Sequence, residues 1–198
     1  MSEVGAGTMG MRSPGPDRNG APGFAENEPA GRWTPDRIAL RQRIEAHPFQ
    51  AAQTLSFTRR LARDHGWSMG FATGAVREYG RFCFLAVVSA TPVTPSEEVD
   101  EVWHMHLTYS RDYWDVWCGQ VLGVRLHHDP TQGGPAEQTR FVLHYARTLA
   151  EYETFFGPPP EVYWPGTRQR FQRRPRYQVL DTAKWLAVRR PSLRWGRR

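Results

Sequence analysis

With 198 residues, 39% of them hydrophobic and 13% aromatic, including eight tryptophans, the chain has material for one ordinary domain with a sizeable core and not for two. No apolar run approaches the ~20 residues of a membrane-spanning helix, and no hydrophobic signal core follows Met1-Ser2-Glu3, so a cytoplasmic protein is expected. The net charge of +6 is uneven: residues 1–31 carry −2, residues 32–156 carry −1 and residues 157–198 carry +9. The basic character therefore belongs to a C-terminal arm, which excludes a uniformly basic nucleic-acid-binding domain.

Residues 1–31 are rich in glycine, proline, asparagine and serine and lack any periodic apolar pattern. Such a stretch buries too little surface to offset its ordering entropy, so a disordered tail is expected. Thr34-Pro35-Asp36 opens a short helix carrying Ile38, Leu40 and Ile44, which stops before Pro48. Phe57 and Leu61, four apart, mark a second helix that Gly66 ends, and Ser68 is placed to cap a third. From Met69 to Ser89 the pattern is helical, and Phe82-Cys83-Phe84-Leu85-Ala86-Val87-Val88 is apolar all round, as befits a helix surrounded by others.

Thr94-Pro95-Ser96-Glu97 reads as an N-cap, a proline at the first helical position and a glutamate reaching back. The helix it opens carries an apolar stripe of Val99, Val102, Trp103, His106 and Leu107, with Asp100 and His104 side by side on a flank. His104 and His106 are two apart, roughly 200° around an α-helix, so they point in different directions and do not share an ion. Ser110 either caps a new helix or continues the old one, which leaves residues 95–121 open as one helix or two. In a single straight helix Cys118 would stand about 21 Å along the axis from His104, and it is a candidate ligand only if the chain folds back near Ser110.

Tyr113, Trp114, Trp117, Cys118 and Val121 give an aromatic face at helical spacing, ended by Gly123. Leu126-His127-His128-Asp129-Pro130 and Thr131-Gln132-Gly133-Gly134 read as a loop able to present His128 and Asp129. Pro135 starts a last long helix with Phe141, Tyr145, Leu149, Tyr152 and Phe156 on its buried stripe. Beyond Gly157 come Trp164-Pro165, an arginine-rich stretch, and Tyr177–Val188, which suits short strands or an extended arm. The expected fold is mainly α: a single-domain helical bundle of about five to six helices over 32–156 with an extended, partly irregular basic arm over 157–198.

Four of the seven histidines fall in Trp103-His104-Met105-His106 and Leu126-His127-His128-Asp129, which concentrates the candidate chemistry there. Val99-Asp100-x-x-Trp103-His104-x-His106, then Tyr113, then Gly123-x-x-Leu126-x-His128-Asp129 resembles the glycine-rich domain-containing protein-like family of bacteria, fungi and plants, over roughly residues 55–165. The segments around Trp164 and Trp185 look like its bacterial branch. The resemblance implies a mainly helical domain of largely unknown biochemistry. The extra RNA-binding and glycine-rich parts of plant members are missing here, so a plant RNA role is not carried over.

Two readings of the cluster stand side by side. In the first, Asp100, His104 and His128 hold one divalent metal ion, zinc by first choice, with iron or manganese admitted by mixed nitrogen and oxygen donors. An open fourth position would then activate a water, with Glu101 or Asp129 as conceivable bases, although no His-Glu-x-x-His motif is present and no catalytic residue is assigned. In the second, an Asp100–His128 or Asp100–His104 hydrogen bond is a structural clasp in an interaction module that needs no ion. Either way Trp103, His106, Tyr113 and Asp129 are supporting residues, His106 as a hydrogen-bonded core histidine. His47, His65 and His144 read as surface or boundary residues.

Cys83 and Cys118 are too few for a disulfide framework, and reduced thiols are expected. No nucleophile elbow, phosphate loop or dinucleotide fingerprint occurs. The arginine-rich arm would suit an acidic protein surface or, with no recognition motif to favour it, a nucleic acid.

Overall fold

The computed structural model describes residues 32–49, 55–129, 133–172 and Lys184; the expectations for 1–31 and for Tyr177–Val188 lie outside these residues, Lys184 apart. The described chain is mainly helical. Six α-helices run in order: α1 (Pro35–Ala46), α2 (Phe57–His65), α3 (Met69–Val88), α4 (Glu97–Thr108), α5 (Pro135–Phe156) and α6 (Thr167–Gln172), with a π-helix (Asp112–Leu122) between α4 and α5. Among the described residues no helix is long and apolar enough to cross a membrane.

The helix starts follow local chemistry. Thr34, Ser56, Ser68 and Ser96 each accept a backbone N–H through the side-chain oxygen, which satisfies one of the four donors a helix leaves open at its start. The cap of α4 is thus Ser96, two residues later than the Thr94-Pro95 reading. Thr94 is instead buried in an extended run, where its N–H donates to Thr148 Oγ1 on α5 at 2.9 Å. Thr94 Oγ1 caps nothing, whereas Ser96 Oγ accepts the Val99 N–H at 3.2 Å, so the helix begins after Ser96. At the other end of α2, Gly66 takes φ 64°, and the N–H groups of Gly66 and Trp67 bond back to Arg63 and Ala62.

The junction after α4 is a break. Tyr109 leaves the helical region at φ −90°, ψ 55°, and the chain resumes as the π-helix that Gly123 closes at φ 73°. Its buried residues, Tyr113, Trp117, Cys118, Val121 and Leu122, recur at steps of four and five, which suits the i→i+5 spacing. Cys118 is buried in that core, away from the histidine groups; its thiol and that of Cys83 are both free.

α3 is the central element and packs on α1, α2, α4, α5 and the π-helix. Phe82, Cys83, Phe84, Leu85 and Ala86 are all buried, as the unbroken apolar run requires. On α1, Leu40 and Ile44 face the core while Ile38 is exposed, a narrower stripe than the spacing suggests. Beyond Phe156 the chain continues to pack on the bundle. The Trp164 indole and the Tyr152 hydroxyl donate to Glu78 Oε2 at 3.0 and 2.6 Å, and Arg81 donates to Glu78 Oε1 at 3.1 Å. Glu78 is fully buried, so these three donors replace the water it gives up. Arg170 of α6 is buried over the Tyr145 ring, with Glu97 3.5 Å away.

Candidate metal centre

Two elements bring the first group together. α4 presents Asp100 and His104 one turn apart, and the loop after the π-helix returns His128 to them across 28 positions of sequence. That loop is held down by a relay. Trp103 Nε1 donates to the Tyr113 hydroxyl at 2.8 Å, and Tyr113 in turn donates to the Leu126 carbonyl, two residues before His128. All three of these residues are fully buried. Trp103 also lies against the His128 ring, with centroids 4.1 Å apart.

His128 Nε2 stands 3.0 Å from Asp100 Oδ1, and His104 Nε2 stands 3.9 Å from Asp100 Oδ2. The His104 and His128 rings are 4.7 Å apart. One donor atom from each residue lies within 4.8 Å of the other two. Nitrogen and oxygen donors on a tetrahedral ion at about 2.0–2.1 Å stand roughly 3.3–3.4 Å from one another, so small side-chain adjustments suffice to enclose one. The group is graded from inside to outside: the His128 side chain is 3% exposed, Asp100 14% and His104 40%. An ion would approach from the His104 side. Asp129 is exposed and lies outside the three.

Burial lowers the His104 pKa, with Asp100 opposing the shift and His128 adding to it, so the neutral imidazole with a lone pair to offer is favoured. Beside the group, desolvation pushes Glu101 up to about 7, helped by the neighbouring carboxylates of Asp100, Glu97 and Glu98. His65 Nε2 lies 3.7 Å from Glu101 Oε2, and its own pKa is lowered, first by burial. His65 borders the group, a position that its place beside Gly66 does not reveal.

His106 points the other way, as two residues on one helix must. It is fully buried, with Nδ1 3.0 Å from the Tyr79 hydroxyl and Nε2 2.9 Å from Asp112 Oδ2. His47 comes to the same carboxylate oxygen at 3.2 Å from 65 positions away. His47 is therefore no surface residue: the side chain is 3% exposed. Neither His47 nor Asp112 sits in a motif, and only the two-residue offset of His106 from His104 hinted that a second polar neighbourhood must exist.

No family model matches the chain, and no solved structure matches it. Among curated proteins the chain is similar to Glycine-rich domain-containing protein 1 of Arabidopsis thaliana, at 26% identity over 113 residues. The matched part is 54% of this chain and 13% of the plant protein, so the chain spans a small fraction of that relative's length.

Proposed function

We propose that Asp100, His104 and His128 bind one divalent metal ion, with zinc the first candidate, and that this is the chain's principal biochemical property. The carrying observation is the meeting of three donor atoms from a helix flank and a tethered loop within 4.8 Å, with a side open to solvent at His104. Two nitrogens and one carboxylate oxygen with an open fourth position is a donor set known from zinc sites that keep a water, and it also admits iron(II) or manganese(II). The relay from Trp103 through Tyr113 to Leu126 supports it by fixing the loop. A soluble, cytoplasmic protein of the bacterial branch of the glycine-rich domain-containing protein-like family fits this reading, with the basic arm available to an acidic partner.

Untagged full-length protein purified without added metal, analysed for its elements, tests the proposal. Near-stoichiometric metal that His104→Ala and His128→Ala each reduce by one equivalent is the expected result. The 3.0 Å contact between His128 Nε2 and Asp100 Oδ1 favours a second reading, an ion-free clasp that pins the loop to α4. Under that reading neither variant changes the metal content, and the shift in melting temperature on adding a chelator is the same in both variants as in the native chain.

A further inference from the structure

The His47, His106 and Asp112 group is separate from the centre just described, and it is built differently. Both imidazoles aim Nε2 at one oxygen, Asp112 Oδ2, at 3.2 and 2.9 Å, and the three donor atoms again lie within 4.8 Å of one another. The other nitrogen of His106 stands 3.0 Å from the Tyr79 hydroxyl, a group that can accept from Nδ1–H. In the ion-free chain Nε2–H donates to Asp112 and the Tyr79 hydroxyl donates to Nδ1; with a cation bound the roles reverse, Nδ1–H donating to Tyr79 and the Nε2 lone pair turning to the ion.

The surroundings hold these groups rigidly. The rings of Phe49, Phe57, Tyr79, Tyr113 and Trp117 stand 5.2–5.7 Å from the His106 ring, so it has little freedom to turn away. Phe49, two residues after His47, takes φ 41°, a left-handed conformation that costs a residue with a side chain and is kept only where the surroundings enforce it. His47 itself is the C-cap of α1 at φ −68°, ψ 124°, and the Phe49 ring lies edge-on against it, centroids 4.6 Å apart. Asp112 enters from the first residue of the π-helix, and π-helical turns are themselves uncommon and concentrate at functional sites.

Access is present on two sides. His47 lines a cavity of about 360 Å³, together with Ile44, Phe49, Arg77, Arg81 and Phe84. Asp112 lines a second depression of about 260 Å³ bounded by Thr108, Tyr109, Ser110 and Arg111. His47 thus borders one opening and Asp112, 13% exposed, borders the other, and an ion with its water ligands would reach the group from these sides.

We propose that His47, His106 and Asp112 form a second divalent-metal site, taking a first-row cation such as Zn²⁺ through two imidazole nitrogens and one carboxylate oxygen, with its open positions toward the cavity beside His47. This does not depend on the first centre. The two histidines of α4 serve one site each, which gives their two-residue spacing a purpose.

The test is equilibrium dialysis of the untagged full-length chain against Zn²⁺ after chelator stripping, with Asp112→Asn and His128→Ala as variants whose fold is checked by circular dichroism. Two equivalents in the native chain, one in each variant and none in the double variant is the expected result. One equivalent that His128→Ala abolishes and Asp112→Asn retains overturns the second site and leaves the first. One that Asp112→Asn abolishes and His128→Ala retains supports the second site and overturns the first, and no binding overturns both. Should Asp112→Asn fail to fold, His47→Gln removes the same equivalent from the side facing the cavity and keeps a hydrogen-bonding group in place.

Discussion

Glu78 is the single residue on which most of the core's polar arrangement depends. Its carboxylate sits in the middle of α3 with no exposure and collects Tyr152 from α5, Trp164 from the segment beyond it and Arg81 from its own helix. Removing it leaves the buried Tyr152 hydroxyl and the Trp164 indole N–H without an acceptor, while Arg81 keeps only its hydrogen bond to the Tyr152 hydroxyl. Glu78→Ala is therefore expected to cost about 3–5 kcal/mol, measured by denaturant unfolding. Glu78→Gln should cost less, because an amide oxygen still accepts from Tyr152 and Trp164. Equal losses for the two variants would mean that the negative charge facing Arg81, rather than shape or hydrogen-bond acceptance, holds the site. The two thiols behave in the opposite manner: burial raises the pKa of both Cys83 and Cys118, which makes them inert packing groups rather than nucleophiles.

At the scale of the elements, what decides the packing is how closely the segment after α5 can approach α3. Gly74 lies under the Tyr163 side chain, and a Cβ added there would overlap the Tyr163 hydroxyl and ring. The absence of a side chain lets that hydroxyl reach the Phe71 carbonyl, to which it donates at 3.2 Å. Gly74→Ala should destabilise the protein by about 1–3 kcal/mol despite alanine's better helix propensity. In a chain that already carries Tyr163→Ala the same change should cost little or become favourable, which a double-mutant cycle reads directly. Additive effects would show that the ring simply swings aside.

The elements were legible in the sequence to different depths, for physical reasons that these residues make plain. Gly66, Ser68, Gly123 and Pro135 act through their own backbone or side chain, so their signals are local and the helix ends follow. Thr94 misleads because a tertiary contact with Thr148, 54 positions away, holds it in an extended run and the capping oxygen comes from Ser96. The π-helix is invisible because Tyr113, Trp117, Cys118 and Val121 suit a 3.6-residue period nearly as well as an i→i+5 one. Asp100, His104 and His128 could be brought together on paper, since a helix flank fixes two and the loop supplies the third. His47 and Asp112 could not, because they meet through a tertiary contact across 65 positions that no local pattern encodes.

For the whole molecule, the direction of the histidine shifts sets how stability responds to acid. His65, His104, His106 and His144 all have lowered pKa values, each chiefly because burial penalises the charged ring. Above the ordinary value near 6.5 these rings are neutral in both folded and unfolded chains and contribute no pH dependence. Below it the unfolded chain takes up protons that the folded one resists, so the folded state loses ground as the pH falls toward the depressed values. Asp112 is lowered as well, first by its hydrogen bond to His106, so its contribution is present above about 4 and disappears as the pH falls through its folded value. Both effects run the same way, while Glu101, pushed up to about 7, opposes them because the folded chain takes up its proton first. With that group removed by Glu101→Gln, the melting temperature in chelator should be level from pH 8 to about 7 and then decline steadily between pH 6.5 and 5, with a second decline below about 4. Ions bound at the histidine groups should deepen the first decline, because the same protons displace them, so the fall between pH 6.5 and 5 should be steeper with Zn²⁺ than in chelator. A melting temperature that rises on acidification over that interval would mean that the buried rings are charged in the folded protein, contrary to the environment the fold gives them.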